Sequence, residues 1–188
     1  MITQSTSTGT SSLASDLSGD LKRALRAIPD YPKPGILFQD ITPVLADADL
    51  FRQVTEAMAA PFAKDGITHV VGVEARGFIL GGPVAILLRA GFVPVRKPGK
   101  LPWKSIRREY ALEYGTNVVE AHEDSLKKGD RVLVVDDVLA TGGTAAAAVE
   151  LVGDLGGTVA GLSFLLELSF LHGREKLRNN TIETVAVL

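Results

Sequence analysis

The chain of 188 residues contains no cysteine, which excludes a disulfide framework, a thiolate zinc site and a thiol nucleophile. Its three histidines, His69, His122 and His172, lie too far apart in sequence to suggest a metal-binding motif. No stretch approaches the ~18 consecutive apolar residues of a membrane span, and the N-terminus lacks the apolar core of a signal peptide. A cytoplasmic location without membrane attachment is therefore expected. An excess of positive charge is missing as well. With 20 Lys and Arg against 22 Asp and Glu, no broad basic face is available for nucleic acid, and any anion site must be local. Neither the GxxxxGK loop of nucleoside triphosphate binders nor the GxGxxG dinucleotide fingerprint occurs, so the two commonest nucleotide motifs are excluded.

What the chain does have is an ordinary globular composition, 46% hydrophobic, enough for one core at this length. Residues 3–12 are mostly Ser and Thr and cannot bury enough apolar area to order themselves, so 1–19 is expected as a flexible tail and 20–188 as one domain. From Asp20, helical spacing puts Leu21, Leu25 and Ile28 on one face until Pro29 and Pro32-Lys-Pro34-Gly35 end the pattern. Leu50, Phe51, Val54, Ala57 and Met58 recur at helical spacing, and 68–73 is a β-branched run. After the glycines of 77–82, a helix is expected over 84–89 and a strand over 92–96. A basic, Pro-containing loop over 98–108, in which Trp103 packs, then leads to a hairpin around Tyr114-Gly115. Residues 132–135 read as a buried strand, the segment after Thr144 as a helix with Ala148, Leu151 and Leu155 on one face, and 158–166 as a strand. This alternation predicts an α/β fold: an open, mostly parallel twisted sheet flanked by helices. In such sheets ligands bind beyond the carboxyl ends of the strands.

The segment Val-Val-Asp136-Asp137-Val-Leu-Ala140-Thr141-Gly142-Gly143-Thr144 sits at such an end. Small side chains let successive backbone amides approach an anion at a helix N-terminus, and the Thr hydroxyls add donors. A phosphate monoester fits. Asp136 and Asp137 would repel that phosphate, but carboxylates accept hydrogen bonds from vicinal hydroxyls such as those of ribose. Taken together they describe a ribose 5-phosphate site. A plainer reading is also open, in which an Asp caps the turn and the glycines serve only tight geometry.

This segment resembles the signature for 5-phospho-α-D-ribose 1-diphosphate (PRPP) in type I phosphoribosyltransferases, in the form carried by the adenine-specific members. Tyr31-Pro-Lys-Pro-Gly-Ile-Leu37-Phe38, Glu74-Ala-Arg76-Gly-Phe, Arg96-Lys97-x-Gly-Lys100-Leu-Pro and Leu-Glu113-Tyr114-Gly are similar to that family's segments in order and spacing. The resemblance runs from about Leu21 to the C-terminus. It implies conversion of adenine and PRPP to AMP and diphosphate, with Mg²⁺ held mainly through substrate oxygens rather than by a protein metal site. It also implies that PRPP is bound by Asp136, Asp137, Ala140, Thr141, Gly142, Gly143 and Thr144 together with Arg76, Arg96, Lys97 and Lys100. Arg76 and Lys100 match the positions for the diphosphate, and the turn at Glu74 to Gly77 is often formed in the family through a non-proline cis peptide. Glu113 matches the mobile-loop Glu that handles the proton near the base. Leu37, Phe38 and Gln39 match the segment over adenine, making 31–42 a small hood and 97–118 a mobile lid. The family commonly has Arg where this chain has Gln39, so a charged contact is replaced there while backbone groups can still pair with the base. The arginine matching Arg96 can reach a neighbouring subunit's substrate, which implies a homodimer.

Ala140 discriminates between bases, because relatives acting on 6-oxopurines resemble one another in an acidic residue at this position, and Ala can neither donate nor accept. A hypoxanthine-guanine or xanthine transferase is the alternative within the fold. A PRPP-sensing regulator is the alternative of another class, but no DNA-binding segment fits before Leu21. A phosphorylation receiver also has acids at strand ends, yet it does not need the Thr-Gly-Gly-Thr cradle.

Overall fold

The structure, a computed structural model, describes residues 9–111 and 116–188. Its contacts divide the chain into two compact units, 1–54 and 55–188. Among the described residues, no helix is long and apolar enough to cross a membrane.

The first unit contains α1 (Gly9–Ala24), β1 (Arg26–Pro29), β2 (Leu37–Asp40), α2 (Thr42–Ala46) and the start of α3 (Ala48–Ala59). The helix expected from Asp20 begins earlier, at Gly9 within the segment read as a tail. It also stops sooner, leaving Ile28 in β1. Leu17, four residues before Leu21, extends the apolar stripe upstream. Ile28 is drawn into a strand because β1 pairs antiparallel with β2, placing Ile28 opposite Phe38 and Arg26 opposite Asp40. Asp47 begins α3 by accepting the amides of Asp49 and Leu50 at 3.1 and 3.0 Å, the usual service of an N-cap carboxylate.

The second unit continues with β3 (His69–Val73), α4 (Arg76–Leu88), β4 (Gly91–Val95), β5 (Ser105–Ala111), β6 (Thr116–His122), β7 (Arg131–Leu139), α5 (Gly143–Asp154), β8 (Thr158–Glu167) and β9 (Ile182–Val187). Its main sheet has the order β4-β3-β7-β8-β9 with every pair parallel, the open parallel sheet that the alternation predicts. Val132, Leu133, Val134 and Val135 are fully buried, as a central strand covered on both faces requires. Each contributes about 1.5–3 kcal/mol through burial.

The helix expected over 84–89 is longer than its apolar residues suggest. α4 starts at Arg76 and takes in the glycines and Pro83. The glycines are contact surfaces. A Cβ on Gly72 of β3 would stand 2.7 Å from the Phe92 ring and one on Gly81 2.9 Å from it. A Cβ on Gly77 would stand 2.9 Å from both Val135 O and Asp136 Oδ1. Tertiary contact thus overrides the poor helix propensity of this stretch.

The expected hairpin is present. β5 and β6 pair antiparallel from Ser105 opposite His122 to Ala111 opposite Thr116, and its tip, 112–115, lies outside the described residues. Because β5 begins at Ser105, the basic loop ends sooner than expected. Trp103, expected to pack, is 62% exposed. Much of the segment 97–118 is therefore sheet, with Ile106 and Tyr110 on the core and Arg108 paired to Asp154 of α5.

Candidate active site

Consecutive strands of the main sheet diverge at β3: β4 lies on one side and β7 on the other. Such a reversal opens a crevice at the carboxyl ends of the two diverging strands. Here β3 pairs with β7 only as far as Gly72 and Val135. Beyond that point β3 turns through Glu74 and Ala75 into α4, while β7 continues along β8 to Leu139. Both segments singled out in the sequence, Glu74 to Arg76 and Asp136 to Thr144, flank this opening. The Glu74-Ala75 peptide is cis.

The loop after β7 forms a small open concavity lined by residues that include Asp136, Ala140, Thr141, Gly142, Gly143 and Thr144. Gly142 holds φ at 76°, and its carbonyl accepts the Ala146 amide at 2.9 Å, which starts α5. Among the described residues, no side chain caps this helix. Its first amides therefore face the concavity in the arrangement that favours an anion. Ala140 lies in the lining and presents only a methyl group.

The two aspartates occupy different surroundings. Asp137 is buried, with Oδ2 2.9 Å from Arg76 Nε. The contact is coulombic, since that oxygen receives no directed hydrogen bond among the described residues. Asp136 is half-buried, and its Oδ1 accepts the Asp137 amide at 2.9 Å. Burial, followed by the charge of Asp137, pushes its carboxyl well above the ordinary aspartate value.

On the β3 side a cationic group surrounds one carboxylate. Glu74 accepts Arg96 Nε at 3.2 Å, the Lys97 amide at 3.2 Å and Lys100 Nζ. Arg96 also donates to the Lys100 carbonyl at 3.0 Å. Burial raises the Glu74 carboxyl, but the bonds from Lys100, Lys97 and Arg96 outweigh it and hold it below the ordinary range. The loop that carries these cations is fixed in turn by buried Glu120, which accepts the Gly99 amide at 2.9 Å, Arg107 Nε at 3.0 Å and Ser105 Oγ at 3.3 Å.

The structure thus brings together Asp136, Asp137, the 140–144 loop and Arg76 at the crevice, and Arg96, the Lys97 backbone and Lys100 around Glu74. Glu113 lies outside the described residues. Leu37, Phe38 and Gln39 form β2 in the first unit, where Phe38 meets Tyr31 edge to face at 5.2 Å.

The family described as phosphoribosyl transferase domain matches residues 44–182. The chain belongs to the phosphoribosyltransferase family. It is 59% identical to the adenine phosphoribosyltransferase of Myxococcus xanthus over 169 residues, covering 90% of this chain and 92% of that one. The crystal structure of adenine phosphoribosyltransferase from Rhodothermus marinus superposes with a TM-score of 0.89 at 52% identity, over 93% of this chain and 99% of that one. The Saccharomyces cerevisiae adenine phosphoribosyltransferase, crystallised with an imino-altritol bisphosphate and adenine, gives 0.85 at 40% identity, over 91% and 99%.

Two features of the crevice carry little or no signal in the sequence. Glu74 stands in the segment Glu74-Ala-Arg76-Gly-Phe, but its place as the anchor of three donors depends on where the loop after β4 returns. Tyr110, whose hydroxyl accepts Thr144 Oγ1 at 3.0 Å, carried a weak signal. It shares the inward face of β5 with Ile106 at period 2, the spacing that directs a residue toward α5.

Proposed function

We infer that the chain transfers the 5-phosphoribosyl group of PRPP to adenine, forming AMP and diphosphate in purine salvage. The observation that carries this reading is the uncapped α5 N-terminus beside Asp136, Asp137 and Arg76 at the strand reversal. One crevice there offers amides for the 5-phosphate, carboxylates for ribose hydroxyls and a cation for the diphosphate.

In the reaction adenine N9 bonds to C1 of the ribose, the C1–O bond to diphosphate breaks, and the N9 proton leaves. The sugar is cationic at the transition state, so the protein's work is positioning and charge compensation. Thr141 to Thr144 hold the 5-phosphate, and Asp136 and Asp137 receive the ribose hydroxyls. Arg76, Lys100 and the Arg96-Lys97 loop take the negative charge that develops on diphosphate, and Glu113 receives the proton. Leu37, Phe38 and Gln39 are assigned to adenine from the family pattern, and Ala140 leaves nothing to pair with a 6-oxopurine.

Mg²⁺ fits this donor set as an ion carried by substrate. Among the described residues, no three metal-ligating side chains form a cage, and Mg²⁺ commonly keeps its waters and binds through one or two carboxylates plus phosphates. Carried on the substrate's own oxygens, it would neutralise the diphosphate, while Asp136 and Asp137 keep the ribose hydroxyls. A homodimer in the cytoplasm completes the reading, supported by the exposed apolar residues Ile79, Ile86 and Leu87 of α4.

The test is to incubate the protein with PRPP and Mg²⁺ plus adenine, hypoxanthine, guanine or xanthine in turn, separating nucleotides by chromatography. AMP from adenine, with little product from the other three, is expected. Absence of AMP overturns the reading.

A further inference from the structure

The chain between β8 and β9 lies directly behind the 140–142 loop. The Leu168 amide donates to the Leu139 carbonyl at 2.9 Å, which binds the start of this connection to the end of β7. Gly173, buried, then faces the loop with no side chain between. A Cβ on Gly173 would collide with the Ala140 carbonyl oxygen and stand 3.0 Å from Leu139 Cδ1, while a Cβ on Gly142 would collide with the Gly173 carbonyl oxygen. The two glycines thus meet backbone to backbone, and Gly142 keeps its left-handed φ against that surface. The next residue anchors the turn. Arg174 donates to Glu167 at the end of β8 through Nε and Nη2, both at 2.7 Å, and to the Ile182 carbonyl at 3.2 Å.

We propose that Gly173 and Arg174 are positioning residues for the phosphate cradle. Arg174, clamped in bidentate fashion to Glu167, sets the turn, and Gly173 is the floor on which Ala140 to Gly142 rest, so that the α5 amides keep their aim. The inference deepens the reading of this loop as a 5-phosphate site and rests on it. Gly173 does not have positive φ, so the effect of Ala there comes from the contact with the Ala140 carbonyl and not from a left-handed conformation.

The probe is ribose 5-phosphate, titrated calorimetrically into the full chain and into Gly173→Ala, Arg174→Ala and Arg174→Lys, with melting temperature and steady-state kinetics measured alongside. Gly173→Ala and Arg174→Ala are expected to weaken binding about tenfold and to raise KM for PRPP by a similar factor, leaving KM for adenine within about twofold. Arg174→Lys cannot restore a two-pronged contact and is expected to bind as weakly as Arg174→Ala. A parent that does not bind ribose 5-phosphate overturns the phosphate reading and this inference with it. A parent that binds, with Gly173→Ala binding equally and only melting lower, overturns this inference alone. If Arg174→Ala does not fold, Gly173→Ala decides.

Discussion

Where the neighbouring strands β3 and β7 part, Glu74 follows the one and Asp136 and Asp137 lie on the other, yet the fold treats the two groups in opposite ways. Around Glu74 it gathers Arg96, Lys100 and the Lys97 amide, so the charged form is favoured. Around Asp136 it supplies burial and a second carboxylate, so the charged form is disfavoured. A carboxylate surrounded by its own cations is already compensated, whereas a pair held together with a single nearby arginine is compensated only when a ligand arrives. On the proposed reading, the contrast separates the group that shapes the site from the group that meets substrate, since unfavourable local chemistry is tolerated where function requires it.

The contrast breaks most completely at Asp136. Asp136→Asn removes a charged acceptor for ribose hydroxyls, worth about 1.5–3 kcal/mol per bond, so kcat/KM for PRPP is expected to fall about 10- to 100-fold. The same change should raise the melting temperature at pH 7. Because the folded-state value of Asp136 lies above the unfolded one of 3.8, the native state binds more protons between them, and stability drops as pH rises through that window. The penalty is complete above the raised value, where Asn is free of it. Equal stability of parent and variant across pH 4 to 8 in urea titrations would refute the assigned strain.

Glu74→Gln sharpens the other side. Lys100 is about half exposed and its pairing is screened, so the expected loss is about 1 kcal/mol at pH 7. The sign of the pH dependence reverses. Glu74 and Glu120 are both held below the ordinary value of 4.5, so their contribution is present above it and lost as pH falls through the lowered values. Urea unfolding from pH 7 to 3 should show a shallower acid decline in Glu74→Gln than in the parent.

This difference between the two strand ends was only half legible in the sequence. The parallel sheet, the buried run of β7 and the small-residue loop follow from periodicity and composition, because each is a local property of a few adjacent residues. The glycines of α4 hide its true start, since Gly77 answers to Val135 and Asp136 and Gly81 to the Phe92 ring, contacts that no local spacing carries. The pairing of Glu74 with Lys100 and the floor beneath Gly142 are likewise products of loop return. Residues 26 and 31 positions later supply the partners, and no spacing rule anticipates them.

The smallest effect concerns the link between the crevice and the hairpin. Thr144 Oγ1 donates to the Tyr110 hydroxyl at 3.0 Å, although Thr144 is also assigned to the phosphate. One hydroxyl proton cannot serve both acceptors, so phosphate binding must turn this bond around, with Tyr110 donating to Thr144 while Thr144 donates to the ligand. Tyr110→Phe and Thr144→Val should each weaken ribose 5-phosphate binding, and the double variant should lose less than the sum. The expected coupling is about 0.5–1 kcal/mol, as for a neutral, partly exposed hydrogen bond. Thr144→Ser, which keeps the hydroxyl, should retain that coupling with Tyr110→Phe. Strict additivity in the calorimetric cycle would mean that the β5-β6 hairpin and the 140–144 loop meet without communicating.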